Sequence, residues 1–296
     1  MLFRESSEHR VVLDTPAKIN LFLQVLNRRP DGYHNINSLF QAVSLFDTLE
    51  IERTASPGCA IEVLGTDSVP GDQSNLVAVA YRAMTSRFEL DGGLAVRLTK
   101  RIPSAAGLGG GSSDAAATIL ACNRLFRLRL SFEKMARIGA SVGSDVPFFF
   151  SGGQALVQGR GEIVRDVSFP FDYQLVLATP PLAIGTAQAY ASLKRGLTNP
   201  KAAFTFRSGW DHRDVVEYLR VSGNDFEEAL CESHPVLGRI KSALLEAGAL
   251  LVRLSGSGPT LFGVFGQLAQ IEEQKVYNNR QWRSIAVRPI GLPREP

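Results

Sequence analysis

A glycine-rich segment, residues 103–117, lies between a strand-like run and an alanine-rich run. Its sequence is Pro-Ser-Ala-Ala-Gly-Leu-Gly-Gly-Gly-Ser-Ser-Asp-Ala-Ala-Ala. Residues 94–99 predict a strand, and the helix propensity of alanine predicts a helix over residues 115–125. A glycine loop between a strand and a helix leaves the backbone N–H groups of the first helical turn free to bind an anion, most often a phosphate.

Single residues exclude the two common kinds of phosphate loop. A Walker loop requires Lys-Ser or Lys-Thr after its last glycine, but Gly111 is followed directly by Ser112. A dinucleotide-binding loop that begins at Gly107 requires glycine at position 112, where this chain has serine. A flexible Gly/Ser linker is the other alternative, and the apolar flanks of the segment argue against it.

Composition narrows the class of protein. A chain of 296 residues with 45% hydrophobic and 21% charged residues is typical of a soluble enzyme with one or two domains. The net charge of +3 and the lack of a basic run predict no nucleic-acid partner. No apolar run approaches the ~20 residues of a membrane span, and the first ten residues lack a signal-peptide core. We therefore expect a cytoplasmic protein with no membrane partner, either a monomer or a weak homodimer.

The three cysteines are scattered along the chain, at Cys59, Cys122 and Cys231. Their spacing predicts neither a disulfide framework nor a metal site, and no metal ligand is assigned from the sequence. They are expected to be small core residues in a reducing compartment.

Residues 11–13 predict the start of a strand, and residues 16–26 predict a second strand with a period of two. The period places four apolar side chains on one face, namely Ile19, Leu21, Leu23 and Val25. The opposite face carries Lys18, Asn20, Phe22 and Gln24. A lysine and an asparagine on one face could both point at a ligand, and the alternative is a solvated strand face.

Two further positions carry candidate functional side chains. Tyr33 and His34 follow the turn sequence Arg-Pro-Asp-Gly, and the alternative for them is a loop aromatic beside a surface histidine. Asp145 is a lone carboxylate in an apolar neighbourhood just before Val-Pro, so it requires a partner or a chemical task. The alternative for Asp145 is a helix cap or a turn residue.

The remaining pattern predicts strands and helices that alternate unevenly. Strands are expected at residues 45–53, 60–64, 154–157, 162–167, 173–178, 252–254, 261–265 and 285–290. Helices are expected at residues 75–88, 132–140, 225–231, 236–247 and 267–277, with another opening at 184–190 and a variable loop at 199–212. This mixture favours an α+β fold. We expect two domains, residues 1–167 and 168–296.

Three separated segments resemble the three sequence motifs of the GHMP kinases, the galacto-, homoserine, mevalonate and phosphomevalonate kinases. They are residues 16–23, 103–113 and 254–262. Four more segments resemble one branch of that family, whose acceptor is a cytidyl diphosphate derivative of a branched sugar alcohol on the non-mevalonate route to isoprenoids. These segments are Arg-Pro-Asp-Gly-Tyr-His at 29–34, Gly-Ser-Asp-Val-Pro-Phe at 143–148, Gly-Arg-Gly-Glu at 159–162 and Asn-Asp-Phe-Glu at 224–227.

The resemblance implies a two-domain GHMP kinase fold, with a ribosomal protein S5 domain 2-like N-terminal domain and a ferredoxin-like C-terminal domain. It implies ATP as the phosphoryl donor, bound with Mg²⁺, and a small-molecule acceptor. The ATP loop would consist of Pro103, Ser104, Ala105, Ala106, Gly107, Leu108, Gly109, Gly110, Gly111, Ser112 and Ser113. Catalysis would fall to Lys18 and Asp145. The acceptor would be bound by Asn20, Tyr33, His34 and Tyr190.

Other interpretations stay open at this point. The chain could be a GHMP kinase of the mevalonate or homoserine type. It could also be a non-catalytic nucleotide- or sugar-binding relative, and the retention of both Lys18 and Asp145 argues against that. Because the loop lacks a Walker lysine, a cation must reach the phosphates from elsewhere, and Lys18 is the candidate. Ser112 or Ser113 could supply a hydroxyl ligand to Mg²⁺.

Overall fold

The computed structural model describes residues 1–65, 69–193, 210–266 and 281–293. Within these ranges, the first sheet has seven strands. They are β1 (Leu2–Ser6), β2 (Arg10–Arg28), β3 (His34–Thr54), β4 (Cys59–Gly65), β5 (Gly93–Lys100), β6 (Gln154–Gly159) and β7 (Ile163–Asp166). The order is β1-β2-β3-β5-β4, and β6 pairs with both β3 and β7. β4 and β5 are parallel, and the other pairs are antiparallel.

The second sheet, in the same described ranges, has four antiparallel strands. They are β8 (Gln174–Thr179), β9 (Leu251–Leu254), β10 (Leu261–Phe265) and β11 (Arg283–Val287), in the order β11-β8-β10-β9. The predicted domain boundary at 167/168 falls between β7 and β8, and the boundary and the two domain names stay predictions.

The helices are distributed over both sheets. They are α1 (Leu76–Thr85), α2 (Gly110–Leu125), α3 (Phe132–Gly139), α4 (Thr186–Ser192), α5 (His212–Ser222), α6 (Glu227–Ser233) and α7 (Pro235–Glu246), with a short 3₁₀ helix, Val146–Phe150. The predicted α+β class is confirmed. Among the described residues, no helix combines the length and the apolar character that a membrane crossing requires. Residues 199–209 of the predicted variable loop and the predicted helix 267–277 lie outside the described ranges.

The prediction of two strands over residues 11–13 and 16–26 is wrong, because β2 runs through both. The register of β2 against β3 shifts between Pro16 and Ala17. A local irregularity of this kind accommodates a proline, which has no N–H to donate to the ladder. β3 likewise begins at His34, eleven residues before the predicted start at 45.

The predicted alternation of side chains between the two faces of β2 is wrong beyond Asn20. Asn20 lies opposite Phe40 and Phe22 lies opposite Leu39, so Leu21 is an extra residue that forms a β-bulge. The bulge reverses the two faces, because side chains alternate with a period of two. Phe22 therefore leaves the face that carries Lys18 and Asn20, and it joins the apolar core between the two sheets.

Three apolar clusters hold the elements together. The first packs the seven-stranded sheet against α1, α2 and α3, and the third packs α6 and α7 against the four-stranded sheet. The second cluster joins the two sheets and includes Ala106 and Leu108 of the glycine loop. The loop is therefore fixed where the two sheets meet.

Candidate active site

The glycine loop connects β5 to α2. Gly109 caps α2 in the left-handed conformation, with φ of 71°, which is unfavourable for residues with a side chain. A Cβ added to Gly109 would lie 2.9 Å from Cγ of Lys18, so this glycine also makes room for the lysine. The backbone N–H of Lys18 donates to the carbonyl of Leu108 at 2.9 Å, which ties the loop to β2.

A second glycine turn, residues 255–258 between β9 and β10, packs against the loop. The Ser255 hydroxyl donates to the Gly107 carbonyl at 2.9 Å, and the N–H of Thr260 donates to the Ala106 carbonyl at 3.2 Å. A Cβ on Gly107 would collide with the carbonyl oxygen of Ser255. The loop and the turn therefore meet backbone to backbone, which only a residue without a side chain allows.

The structure brings Lys18 and Asp145 together. Nζ of Lys18 lies 3.3 Å from Oδ2 of Asp145 and donates to Oδ1 of Asn20 at 2.6 Å. The Asn20 amide in turn donates to the Ser38 hydroxyl at 3.0 Å. The ammonium also lies 4.7 Å from the centre of the Phe40 ring, a cation–π distance. Lys18 is only 3% exposed, so the alternative of a solvated strand face is wrong.

The position of Asp145 follows from the elements around it. Asp145 precedes the 3₁₀ helix, whose Phe148 and Phe149 are buried in the first core cluster. On its other side, Gly161 of the β6–β7 hairpin packs so closely that a Cβ there would lie 2.6 Å from the Ser144 carbonyl oxygen. The Asp145 side chain is 30% exposed. The carboxylate is therefore held by its neighbours and still reaches the cavity.

The aromatic candidates lie at the other end of the site. The rings of His34 and Tyr190 stack at 4.8 Å with an interplanar angle of 12°, and Phe226 packs edge-on against Tyr190 at 5.0 Å. Burial lowers the pKa of His34, and the charge of Arg28 lowers it further. Burial raises the pKa of Tyr190 to about 12, and the Asp145 charge adds to that rise. His34 is thus biased toward its neutral form.

Tyr33 differs from its neighbour. Its side chain is 54% exposed, and the Arg160 guanidinium lies over one face of the ring at 5.3 Å. The other candidates of this end are stacked on one another, whereas Tyr33 presents a ring to solvent. An exposed aromatic ring that is braced by a cation is suited to stacking on a planar ligand.

One cavity of about 1210 Å³ connects these groups. It is lined by Lys18, Asn20, Tyr33, His34, Asp145 and Tyr190 together with nine of the eleven predicted loop residues. Leu108 and Ser113 are the two exceptions, because both are buried and neither lines the cavity. The Ser113 hydroxyl is buried with no hydrogen-bond partner.

The sequence analysis missed several lining residues. Arg28 and Arg160 lie at the aromatic end, and residues 69, 70 and 74–76 lie beside the glycine loop. Arg160 is part of a motif that was noticed without a role. The pattern of apolar and polar residues over 69–76 does not distinguish the wall of a cavity from the ordinary start of a helix.

The sequence analysis also missed a buried ion cluster beneath the loop. Lys100 donates to Asp47 and, at 2.9 Å, to Asp114, and Thr15 donates to Asp114 at 2.8 Å. Asp47 also accepts the backbone N–H groups of Arg101 and Ile102, at 2.5 and 2.9 Å, where the loop begins. The cluster therefore fixes the first residues of the loop.

The cluster holds one cation between two carboxylates. Burial raises the pKa of Asp114 to about 6; the Lys100 charge opposes this shift and the Asp47 charge adds to it. Burial lowers the pKa of Lys100, but the charges of Asp114 and Asp47 outweigh it, so the net shift is upward. Lys100 is thus held as a cation by its partners.

Comparison with known proteins identifies the family of this chain. The family described as GHMP kinases N terminal domain matches residues 75–153, and GHMP kinases C terminal matches residues 211–283. A 4-diphosphocytidyl-2-C-methyl-D-erythritol kinase of Geobacillus thermodenitrificans is 40% identical over 287 residues, covering 95% of this chain and 98% of the relative. The fold and the site define an ATP-dependent small-molecule kinase of the GHMP class. The chain belongs to the 4-diphosphocytidyl-2-C-methyl-D-erythritol kinase family within that class.

Solved structures give the same result. A crystal structure of 4-(cytidine 5'-diphospho)-2C-methyl-D-erythritol kinase superposes with a TM-score of 0.76 at 29% identity, covering 95% of this chain and 99% of that one. A homoserine kinase from Cytophaga hutchinsonii superposes with a TM-score of 0.68 at 19% identity, with 98% of both chains covered. At that identity the second likeness concerns the fold alone.

Proposed function

We propose that this kinase transfers the γ-phosphoryl group of ATP to the 2-hydroxyl of 4-diphosphocytidyl-2-C-methyl-D-erythritol. One observation carries the proposal, the 3.3 Å contact between Lys18 and Asp145 in a cavity that joins the glycine loop to an aromatic cluster. The hydroxyl oxygen forms a bond to the γ-phosphorus. The bond from that phosphorus to the β–γ bridging oxygen breaks, and ADP leaves.

In this proposal the glycine loop binds the ATP phosphates through backbone N–H groups of the first turn of α2. The Lys18 ammonium faces the charge that develops on the transferred phosphoryl group, where a fixed cation stabilises the transition state. Asp145 accepts the proton of the attacking hydroxyl. Asn20 orients Lys18, because its amide oxygen accepts from Nζ while its nitrogen is held by Ser38.

Mg²⁺ accompanies ATP in this proposal and neutralises charge on the phosphates. Magnesium takes oxygen ligands and keeps several waters, so few protein ligands are required. Of the two serines considered, Ser112 lines the cavity and Ser113 does not, so Ser112 is the one that would supply a hydroxyl. Within the described ranges no group of three or more His, Cys, Asp or Glu side chains could hold a metal ion. Because magnesium keeps several waters, the phosphates and water would hold most of the ion.

The aromatic end binds the cytosine ring of the acceptor in this proposal. The His34 and Tyr190 rings stack directly on each other, so the base is expected to lie beside this pair, against the exposed ring of Tyr33. A neutral His34 can donate through one ring nitrogen and accept through the other, which suits the edge of a cytosine. Mevalonate and homoserine have no planar ring for such a surface.

The test is an acceptor panel. The purified enzyme is incubated with ATP and Mg²⁺ and with the cytidyl diphosphate compound, mevalonate, homoserine or galactose, and ADP release is measured. We expect turnover with the cytidyl diphosphate compound at least about 10³-fold above the others, with the new phosphate located at the 2-hydroxyl by ³¹P NMR. Preferred turnover of mevalonate or homoserine would contradict the proposal. ADP release with no acceptor at all would contradict it too.

We further infer a division into domains 1–167 and 168–296, a cytoplasmic location and a monomer or weak homodimer. The gap between β7 and β8 supports the boundary, since the first sheet ends at Asp166 and the second begins at Gln174. The three free cysteines suit a reducing compartment. Sedimentation from nanomolar to micromolar concentration tests the oligomeric state, and a dimer that persists at nanomolar concentration would contradict the inference.

A further inference from the structure

The four residues Asn224-Asp225-Phe226-Glu227 form a motif to which the proposed reaction assigns no role. They follow α5 and end at Glu227, the first residue of α6. Asn224, Phe226 and Glu227 are buried. Buried polar side chains are costly unless they are fully hydrogen-bonded, so their partners indicate what they do.

Asn224 uses both ends of its amide. Its Nδ2 donates to the carbonyl of Leu254 at 2.8 Å and to the carbonyl of Gly256 at 2.9 Å. Its Oδ1 accepts the N–H of Phe226 at 2.9 Å. The two carbonyls belong to the end of β9 and to the glycine turn 255–258. The Asn224 side chain therefore connects the strand to the turn.

The glycine turn lies close to Lys18 and Asn20. A Cβ added to Gly256 would lie 3.3 Å from Nζ of Lys18 and 3.3 Å from Oδ1 of Asn20. Gly256 also has φ of 59°, which is unfavourable for a residue with a side chain, and a Cβ at 3.3 Å would be a tight contact. The position of this turn therefore limits where the Lys18 ammonium can lie.

Asp225 and Glu227, which follow Asn224 in the motif, bond to two different strands. Asp225 accepts the N–H of Val25 at 2.6 Å and donates its own N–H to the carbonyl of Leu23 at 2.9 Å, which joins the motif to β2. Glu227 accepts the N–H of Leu254 at 3.1 Å and the ammonium of Lys241 at 2.5 Å. The motif thus contacts both the strand that carries Lys18 and the strand that leads to the turn.

We propose that Asn224 is a positioning residue for phosphoryl transfer, which holds the glycine turn 255–258 against Lys18 and Asn20. The inference rests on the proposed function, in which Lys18 faces the transferred phosphoryl group. Asn224 itself does not line the cavity, so it acts through Gly256.

The test compares Asn224→Asp with a matched control, Asn123→Asp. Both asparagines are 7% exposed, and both donate to a backbone carbonyl and accept a backbone N–H. Aspartate keeps the acceptor and loses the donor at each position. Asn123 lies near the end of α2, bonded to Leu130, and does not line the cavity.

We expect kcat of Asn224→Asp to fall about 10- to 100-fold, while KM for each substrate stays within about threefold, because a small displacement of a catalytic group costs rate rather than binding. Asn123→Asp should lower the unfolding temperature and leave kcat within about twofold of wild type. In a Lys18→Met background, Asn224→Asp should lower kcat by less than about twofold further, because residues that act as one unit are not additive.

Equal fractional losses of kcat in both backgrounds, or a kcat for Asn224→Asp within about twofold of wild type, would overturn the inference. If Asn224→Asp does not fold, Gly256→Ala moves the same turn without changing Asn224, and an unchanged kcat there would overturn it equally. A wild-type enzyme that ignores the cytidyl diphosphate acceptor would contradict the proposed function instead. The variants Asn224→Asp, Lys18→Met and their combination are then measured with the acceptor that the panel identifies.

Discussion

Lys18 and Lys100 are two buried lysines that line the same cavity, and their surroundings differ. Lys18 contacts one partly exposed carboxylate, Asp145, together with the neutral amide of Asn20. Lys100 lies between two carboxylates, Asp47 and Asp114, that are almost fully buried. The first lysine keeps part of its positive potential for a ligand, whereas the second is more than neutralised by its partners. In the proposed function, the same residue type therefore serves transfer at one point of the cavity and fixes the glycine loop at another.

The largest expected effect is at the Lys18 pair. Asp145→Asn keeps size and hydrogen bonding but removes the proton acceptor, so kcat should fall by about 10²–10⁴ with both substrates still bound. Because Asp145 is partly exposed but Lys18 is buried, the free energy of unfolding should fall by less than the loss of about 3–5 kcal/mol expected when a fully buried pair is broken. Steady-state kinetics and urea unfolding measure the two quantities. Near-normal kcat with a large loss of stability would mean that the Lys18–Asp145 pair is structural. Lys18 and Lys100 would then have the same kind of role.

The next expected effect is a loss of stability when Lys100 is replaced. Lys100→Met leaves two carboxylates buried without a cation, which should lower the free energy of unfolding by about 3–5 kcal/mol. Lys18→Met is the matched control, since it strands only the partly exposed Asp145 and should lower stability less while lowering kcat more. Urea unfolding of both variants checks the order. Equal losses of stability would remove the distinction between the two lysines.

A substitution at the aromatic end serves as a reference for the two lysines, because Tyr33 contacts neither of them. Tyr33→Ala should weaken binding of the cytidyl acceptor by about 1–3 kcal/mol, the usual contribution of one stack between a base and an aromatic ring. ATP binding should hardly change. Calorimetric titration with each ligand separates the two. A loss of similar size for ATP would place Tyr33 at the nucleotide end or in a structural role.

The last expected effect is a pH dependence of stability, which is small for each pH unit. Asp114 has a pKa of about 6 in the folded protein, above the value of about 4 for an unfolded chain. Its contribution to stability is therefore fully present below about pH 4 and is lost as the pH rises through about 6. The loss is at most about 1.4 kcal/mol for each pH unit, since one proton is involved. Unfolding curves for wild type and Asp114→Asn from pH 4 to 7 should converge or cross; parallel curves would contradict the prediction.

The parts that the sequence predicts well are local. The sequence predicts a glycine loop that leads into a helix, and α2 confirms it, because glycine spacing and alanine propensity act over a few residues. α2 begins five residues before the predicted helix start at 115, since Gly110 already has helical geometry. Most other strands and helices in the described residues have the predicted type, but β1 and α5 were not predicted and β3 begins eleven residues before its predicted start.

The parts that failed depend on distant contacts. The bulge at Leu21 is set by the pairing of β2 with β3, so no period within β2 could indicate it. Nothing in the local sequence indicates that Lys100 belongs to an ion cluster, because its partner Asp47 lies 53 residues away along the chain. The stack of Tyr190 on His34 joins α4 to the start of β3, and only the resemblance to a family placed the two together.

The close approach of Gly107 to Ser255 has a consequence for how the enzyme loses activity. The glycine loop belongs to the first sheet and the turn 255–258 to the second, so the contact between them spans both halves of the molecule. Any motion that separates the two sheets must also pull the turn away from Lys18. Inactivation by urea should therefore follow the separation of the halves, even where each half retains its own secondary structure. Residual activity during denaturation then reports on the interface between the sheets.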